Sequence, residues 1–163
     1  MQRAAYVILV AAIVLPMHAG SPGAKPKAPA GWETASPRDE IAPRFAFDPA
    51  GGPRKNGSFV LLADGREGLH GWWKKEVPIV GGKHYRFHAL RKAEGIEAPR
   101  YSAVARVVWR DALGKPVRAD APDGGVGPSA EPEYPVDGAV VNGWTEVTGV
   151  YRAPSKAAKA VVE

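Results

Sequence analysis

The stretch HGWWKKEVPIVGGKHYRFHALRK, residues 70–92, decides how the rest of the chain is read. Successive side chains of a strand point to opposite faces, so residues two apart share a face. On that rule Trp73, Val77 and Ile79 fall in one phase, and Trp72, Lys74 and Glu76 in the other. Gly81 and Gly82 make a turn. Beyond it Tyr85, Phe87 and Ala89 face a core, while His84, Arg86 and His88 face away. Two such strands joined by glycines predict antiparallel sheet with one face packed and one face wet.

The same period extends in both directions. In GSFVLLAD, residues 57–64, Phe59, Leu61 and Ala63 share a face, and the turn GGPRKNG precedes them. In RYSAVARVVWRD, residues 100–111, Ala103, Ala105, Val107 and Trp109 point inward and Arg106 and Arg110 outward. GWTEVTGVYRAP, residues 143–154, puts Val147 and Tyr151 in phase, and a last strand runs through Ala160 and Val162. Upstream, Pro37, Pro43 and Pro49 argue against a helix, and the alternating Phe45 and Phe47 mark a short edge strand. Residues 120–142 are Pro/Gly-rich and acidic and read as a long loop with little regular structure. No segment offers the crossover helix that parallel strands need. The expected fold is therefore all-β, a jelly-roll β-sandwich. The sequence reaches Glu163 within a strand and without a terminating turn. The expectation is an open sheet edge there, with the final strand or strands of the module missing.

The N-terminus carries a different signal. Arg3 supplies a positive charge, Ala4 to Leu15 form an apolar run, Pro16 breaks it, and the small residues Ala19, Gly20 and Ser21 follow. That order is the pattern of an export leader. The run is shorter than the roughly 20 residues that cross a bilayer. The chain divides accordingly into a signal peptide over 1–20, a Pro/Ala/Gly-rich linker over 21–31 and a β-sandwich module over 32–163, with no membrane span once the leader is removed. The expected location is periplasmic, cell-surface or secreted. With no cysteine in 163 residues, disulfides, zinc–thiolate sites and cysteine nucleophiles are excluded. The formal charge of +5 is scattered upstream, whereas Asp120, Asp123, Glu131, Glu133 and Asp137 occupy a window free of Lys and Arg. Such a distribution, with no accompanying motif, does not point to nucleic acid.

Metal and catalytic readings fare poorly. His84 and His88 lie on one strand, which sets them roughly 13 Å apart and prevents them from sharing an ion. Asp64, Glu67, Asp111 and Asp120 supply oxygen donors in turns without EF-hand spacing, which leaves structural calcium open and calls for no other cofactor. No serine elbow, activated nucleophile or acid/base pair can be assigned, so no catalytic residue is expected in this chain.

The aromatics carry more information. Trp73, Tyr85, Phe87 and Trp109 take the inward phase and belong to the core. Trp72, out of phase with Trp73, should stand beside Arg86 or Arg106 on the outer face. There its indole could stack on an apolar sugar face, or be covered by the acidic loop or by a missing strand.

Four segments together carry a resemblance: GSFVLLAD, GWWKKEVPIVGGKHYRF, VARVVWRDALGK and GWTEVTGVYRAP. They resemble the jelly-roll carbohydrate-binding modules of the CenC-like, galactose-binding-like class, over residues 32–163. ASPRDEIAPRFAFDPAGGP, DGREGLHGWW and AEPEYPVDG are similar to the module that precedes the catalytic domain in exported bacterial carbon–nitrogen hydrolases of the nitrilase superfamily. That family works through a Glu-Lys-Cys triad, which a chain without cysteine cannot supply. The resemblance therefore implies a non-catalytic accessory module with two partners, a glycan and a downstream catalytic domain. It also implies a ligand face on one sheet, made here by Trp72, Arg86, His88 and Arg106. The alternative is a structural module that packs on its own catalytic domain or dimerises and takes no sugar.

Overall fold

The computed structural model describes residues 6–10, by their backbone pairing, and residues 28–163 with side chains. Most of the expected leader and linker lie outside the described residues. Among the described residues ten strands form two sheets. They are β1 (Tyr6–Val10), β2 (Trp32–Ala35), β3 (Arg44–Asp48), β4 (Ser58–Leu62), β5 (Trp72–Pro78), β6 (His84–Glu94), β7 (Val107–Arg110), β8 (Val136–Val141), β9 (Trp144–Arg152) and β10 (Lys159–Val162). A 3-10 turn (Asp39–Ile41) and one helical turn, α1 (Pro99–Ser102), are the only helices among the described residues.

The larger sheet has the order β3-β4-β1-β6-β9-β8 and the smaller the order β2-β5-β10-β7. Every pairing between these strands is antiparallel. The sheets pack face to face, because two core clusters draw on both. One joins Trp32 and Trp73 from the small sheet to Phe59 from the large one, with Phe45, Phe47 and Leu61 against them. The other joins Val107, Trp109 and Ala160 to Tyr85, Phe87 and Tyr151. The fold is an all-β sandwich, as the alternation requires.

The inward phase is observed at most of the expected positions, but Val77, near the end of β5, is 37% exposed. Trp109 is 4% exposed and Val147 1%, and Ala103, Ala105, Val107 and Ala160 are buried. Phe59 lies 5.1 Å from Trp73 and 4.3 Å from Trp32, centroid to centroid, with tilted rings. The turn at residues 81–82 is tight. A Cβ on Gly81 would stand 2.2 Å from the Ser155 carbonyl oxygen, and Gly82 has φ +75°. Only glycine meets both conditions without strain.

Two expectations are corrected. The region 120–142 is not all loop, for Val136–Val141 is a strand paired with β9. The reason is a two-residue hairpin. Asn142 and Gly143 both have positive φ (51° and 78°), the geometry that Asn-Gly adopts in the tight turns matching strand twist. The expected open edge at the last strand is also absent. β10 lies between β5 and β7 and pairs with both. Beyond it Glu163 exchanges backbone hydrogen bonds with Arg106, at 2.9 and 3.0 Å.

Candidate functional site

β5 begins at the end of the sandwich, where residues 69–71 leave a loop and α1 sits opposite. Gly71 is confined there: an added Cβ would meet the Pro43 and Phe45 side chains at 2.6 and 2.8 Å. That confinement fixes the start of β5 and sends the two tryptophans to opposite sides. Trp73 goes inward and donates from Nε1 to the Val60 carbonyl at 3.3 Å. Trp72 goes the other way.

The pairing of β10 with β7 brings Arg106 to Trp72. The Arg106 guanidinium carbon stands 5.4 Å from the indole centroid, within the range of a cation–π contact. The Arg106 Nε donates to the Glu163 carboxylate, whose side chain is 8% exposed. Among the described residues its terminal nitrogens donate no hydrogen bond, so they remain available. His70 completes the cluster, its ring 5.3 Å from that of Trp72. The Trp72 Nε1 is buried with no hydrogen-bond partner among the described residues.

These side chains line a groove of about 360 Å³, closed on the far side by Tyr101, Ser102 and Val104. Tyr101 is 82% exposed, held at the tip of α1 by its N–H, which donates to Ala98 O at 3.0 Å. The groove thus offers the rings of His70, Trp72 and Tyr101, with Phe59 and Trp73 also in its lining, a guanidinium with free donors and a carboxylate. Sequence reasoning passed over Tyr101, which lies outside every strand. Its one signal is an aromatic residue in a Pro-containing turn, APRYS.

Arg86 and His88 are placed elsewhere. Both lie on β6 in the larger sheet, exposed on the side opposite Phe87. The His88 Nε2 is 3.1 Å from the Glu146 Oε1 on the neighbouring strand β9. Of the four residues expected on one ligand face, the structure brings Trp72 and Arg106 together and sets Arg86 and His88 on the other sheet. The reason is that Trp72 and Arg106 belong to β5 and to the segment leading into β7, both in the small sheet.

A second, larger cleft of about 650 Å³ is lined by Asp111, Arg118, Asp120, Arg152 and Ser155 among others. Its Asp120 carboxylate already accepts from the Ser155 backbone N–H, the Ser155 hydroxyl and Arg152, at 2.8 to 3.1 Å. The Ser155 hydroxyl, its backbone N–H and the Arg152 guanidinium together hold Asp120 below the ordinary carboxylate range. The Asp120 carboxylate is thereby committed to hydrogen bonds within the cleft itself.

Among the described residues no three His, Asp or Glu side chains are grouped to hold a metal ion. No helix among them is long and apolar enough to cross a membrane. No protein-family model matches the chain, and no curated protein and no solved structure matches it significantly.

Proposed function

We propose that this chain is a non-catalytic, exported module of jelly-roll type that binds carbohydrate in the groove between Trp72 and Tyr101. In this reading it is the N-terminal accessory part of a larger hydrolase of the carbon–nitrogen type. One observation carries the proposal: the stacked Trp72–Arg106 pair inside an aromatic groove, with guanidinium donors uncommitted and an indole N–H unpartnered. A sugar ring has an apolar face that packs on an aromatic ring and an equatorial belt of hydroxyls. Planar guanidinium and carboxylate groups bind such hydroxyls in pairs. The unpartnered indole N–H costs about 1–3 kcal/mol while buried and unmade. A ligand oxygen reaching it after a small ring movement would recover part of that. The role assigned to Arg86 and His88 at the sequence level is not retained in this proposal.

The test is affinity electrophoresis and glycan-array binding with the wild-type chain and the Trp72→Ala and Tyr101→Ala variants. The expected result is retardation on at least one polysaccharide, lost at least tenfold in both variants. No retardation on any polysaccharide would sink the carbohydrate reading.

A second reading rests on a different observation. Val136, Val141 and Val150 are each more than 60% exposed on β8 and β9, and β8 is an edge strand. An exposed apolar edge is a pairing surface for another chain. This favours a module that dimerises through β8, and sedimentation of wild type against Val141→Lys would read it directly.

A further inference from the structure

The large sheet holds two strands that are neighbours of a common third strand but not of each other. β4 and β6 flank β1, with Val7 opposite Leu61, Ile8 opposite Val60 and Leu9 opposite Phe59 on one side. On the other side Tyr6 through Val10 run opposite Glu94 through Leu90. Adjacent strands lie about 4.8 Å apart, so β4 and β6 stand about 10 Å from one another. That is too far for any direct hydrogen bond. With β1 absent, each would present a row of unpaired N–H and C=O groups toward the other.

The strand in that position is YVILV, part of the apolar run Ala4 to Leu15 that otherwise reads as an export leader. Its β-branched residues suit a strand at the middle of a sheet. We propose that the space between β4 and β6 is a strand-acceptor slot, and that its occupant is the chain's own Tyr6–Val10. A chain that keeps these residues has a closed six-stranded sheet. Processing that removes them opens a slot shaped for one extended apolar segment, antiparallel to both flanking strands, as in strand-addition complexes generally. The slot shares Phe59 and Leu61 with the lining of the Trp72 groove, but it is defined by backbone pairing and does not rest on the carbohydrate reading.

The chain contains no cysteine, so paired cysteines can be introduced without competing thiols. The double variants Ile8→Cys with Val60→Cys, and Val7→Cys with Leu61→Cys, sample two successive register positions in the full-length chain. One of them is the non-hydrogen-bonded kind, in which side chains approach closely enough for a disulfide. The expected result is rapid oxidation within the monomer in at least one of the two. Ile8→Cys with Leu62→Cys, two positions out of register, should react at least tenfold more slowly. Cross-linked dimers would assign the slot to a second copy and overturn the proposal, as would reaction no faster than the out-of-register pair. Hydrogen exchange on Ile8→Pro gives an independent readout. Amides of β4 and β6 directed at the slot should exchange at least tenfold faster, and those of β6 paired with β9 should not. Equal acceleration of both sets would count against a local slot.

Discussion

The guanidinium of Arg106 lies over the indole of Trp72 while its Nε is held by Glu163. The contact is made by residues 34 positions apart, joined only because β10 carries Glu163 in beside Arg106. It sets the orientation of the groove's aromatic wall. Arg106→Ala removes the stacking and leaves the largely buried Glu163 carboxylate without its partner, at a stability cost of about 1–3 kcal/mol. Arg106→Lys keeps a charge but loses the planar stack and the fixed fork. The expected outcome is a near-native denaturation midpoint for the lysine variant with weakened glycan retardation. Tryptophan fluorescence should shift in both variants, since the environment of Trp72 changes in each.

Arg91 offers a second test, this time of the core. It is 4% exposed and donates to the Ala103 carbonyl at 3.0 Å and to the Asp137 carboxylate. Asp137→Ala leaves the guanidinium buried without a counter-charge, which destabilises by about 3–5 kcal/mol in comparable cases. Replacing both, Arg91→Met with Asp137→Leu, removes the charge problem along with the pair. Urea denaturation should show the double variant more stable than Asp137→Ala alone, and the reverse order would refute this account of the pair.

Alkaline stability turns on Tyr151. Burial raises its phenol above the usual value, with the charge of Glu133 adding to the effect. The unfolded phenol, with a pKa near 10, ionises before the folded one. Stability is therefore fully present below about pH 10 and falls as pH rises from there through the folded value. Tyr151→Phe should flatten the decline of the denaturation midpoint between about pH 9 and 11. An unchanged slope would show that another group controls it.

Gly81 is a steric test. A methyl group there meets the Ser155 and Pro154 carbonyl oxygens at 2.2 and 2.8 Å. Both are backbone atoms that cannot rotate away. Gly81→Ala should lower stability by about 1–3 kcal/mol through forced backbone displacement, while Gly124→Ala, with nothing within 4 Å of the added carbon, should suffer only from its positive φ.

The parts of the fold that sequence made legible are those governed by a local period. Phe59, Tyr85, Phe87 and Trp109 point inward, and each sits two residues from another apolar residue on its own strand, whereas Trp73 and Val147 have no such neighbour and are placed by the phase of their strands alone. The continued phase of β6 also accounts for Arg91, an inward arginine that alternation alone would place after Ala89. The hairpin at Asn142–Gly143 was legible too, in the dipeptide itself, but the surrounding prolines and acids masked it. What could not be read was which strand lies beside which. The meeting of Trp72 with Arg106, and the separation of both from Arg86 and His88, follow from β10 entering between β5 and β7. Nothing in either strand's own residues announces that order.

The central position of β10 has a kinetic consequence. Lys159 bonds Glu76 across 83 positions of sequence, and β5 has no other route to β7 within its sheet. The small sheet therefore cannot be completed until β10 has been made. Its middle is supplied last, so joining β10 to β5 closes a loop of some eighty residues, from Pro78 to Lys159. Folds dominated by such distant pairings fold in milliseconds to seconds rather than microseconds. A newly made chain would spend that interval with β2 free to pair with β5 but with β7 still apart from both, a state that a chaperone could engage.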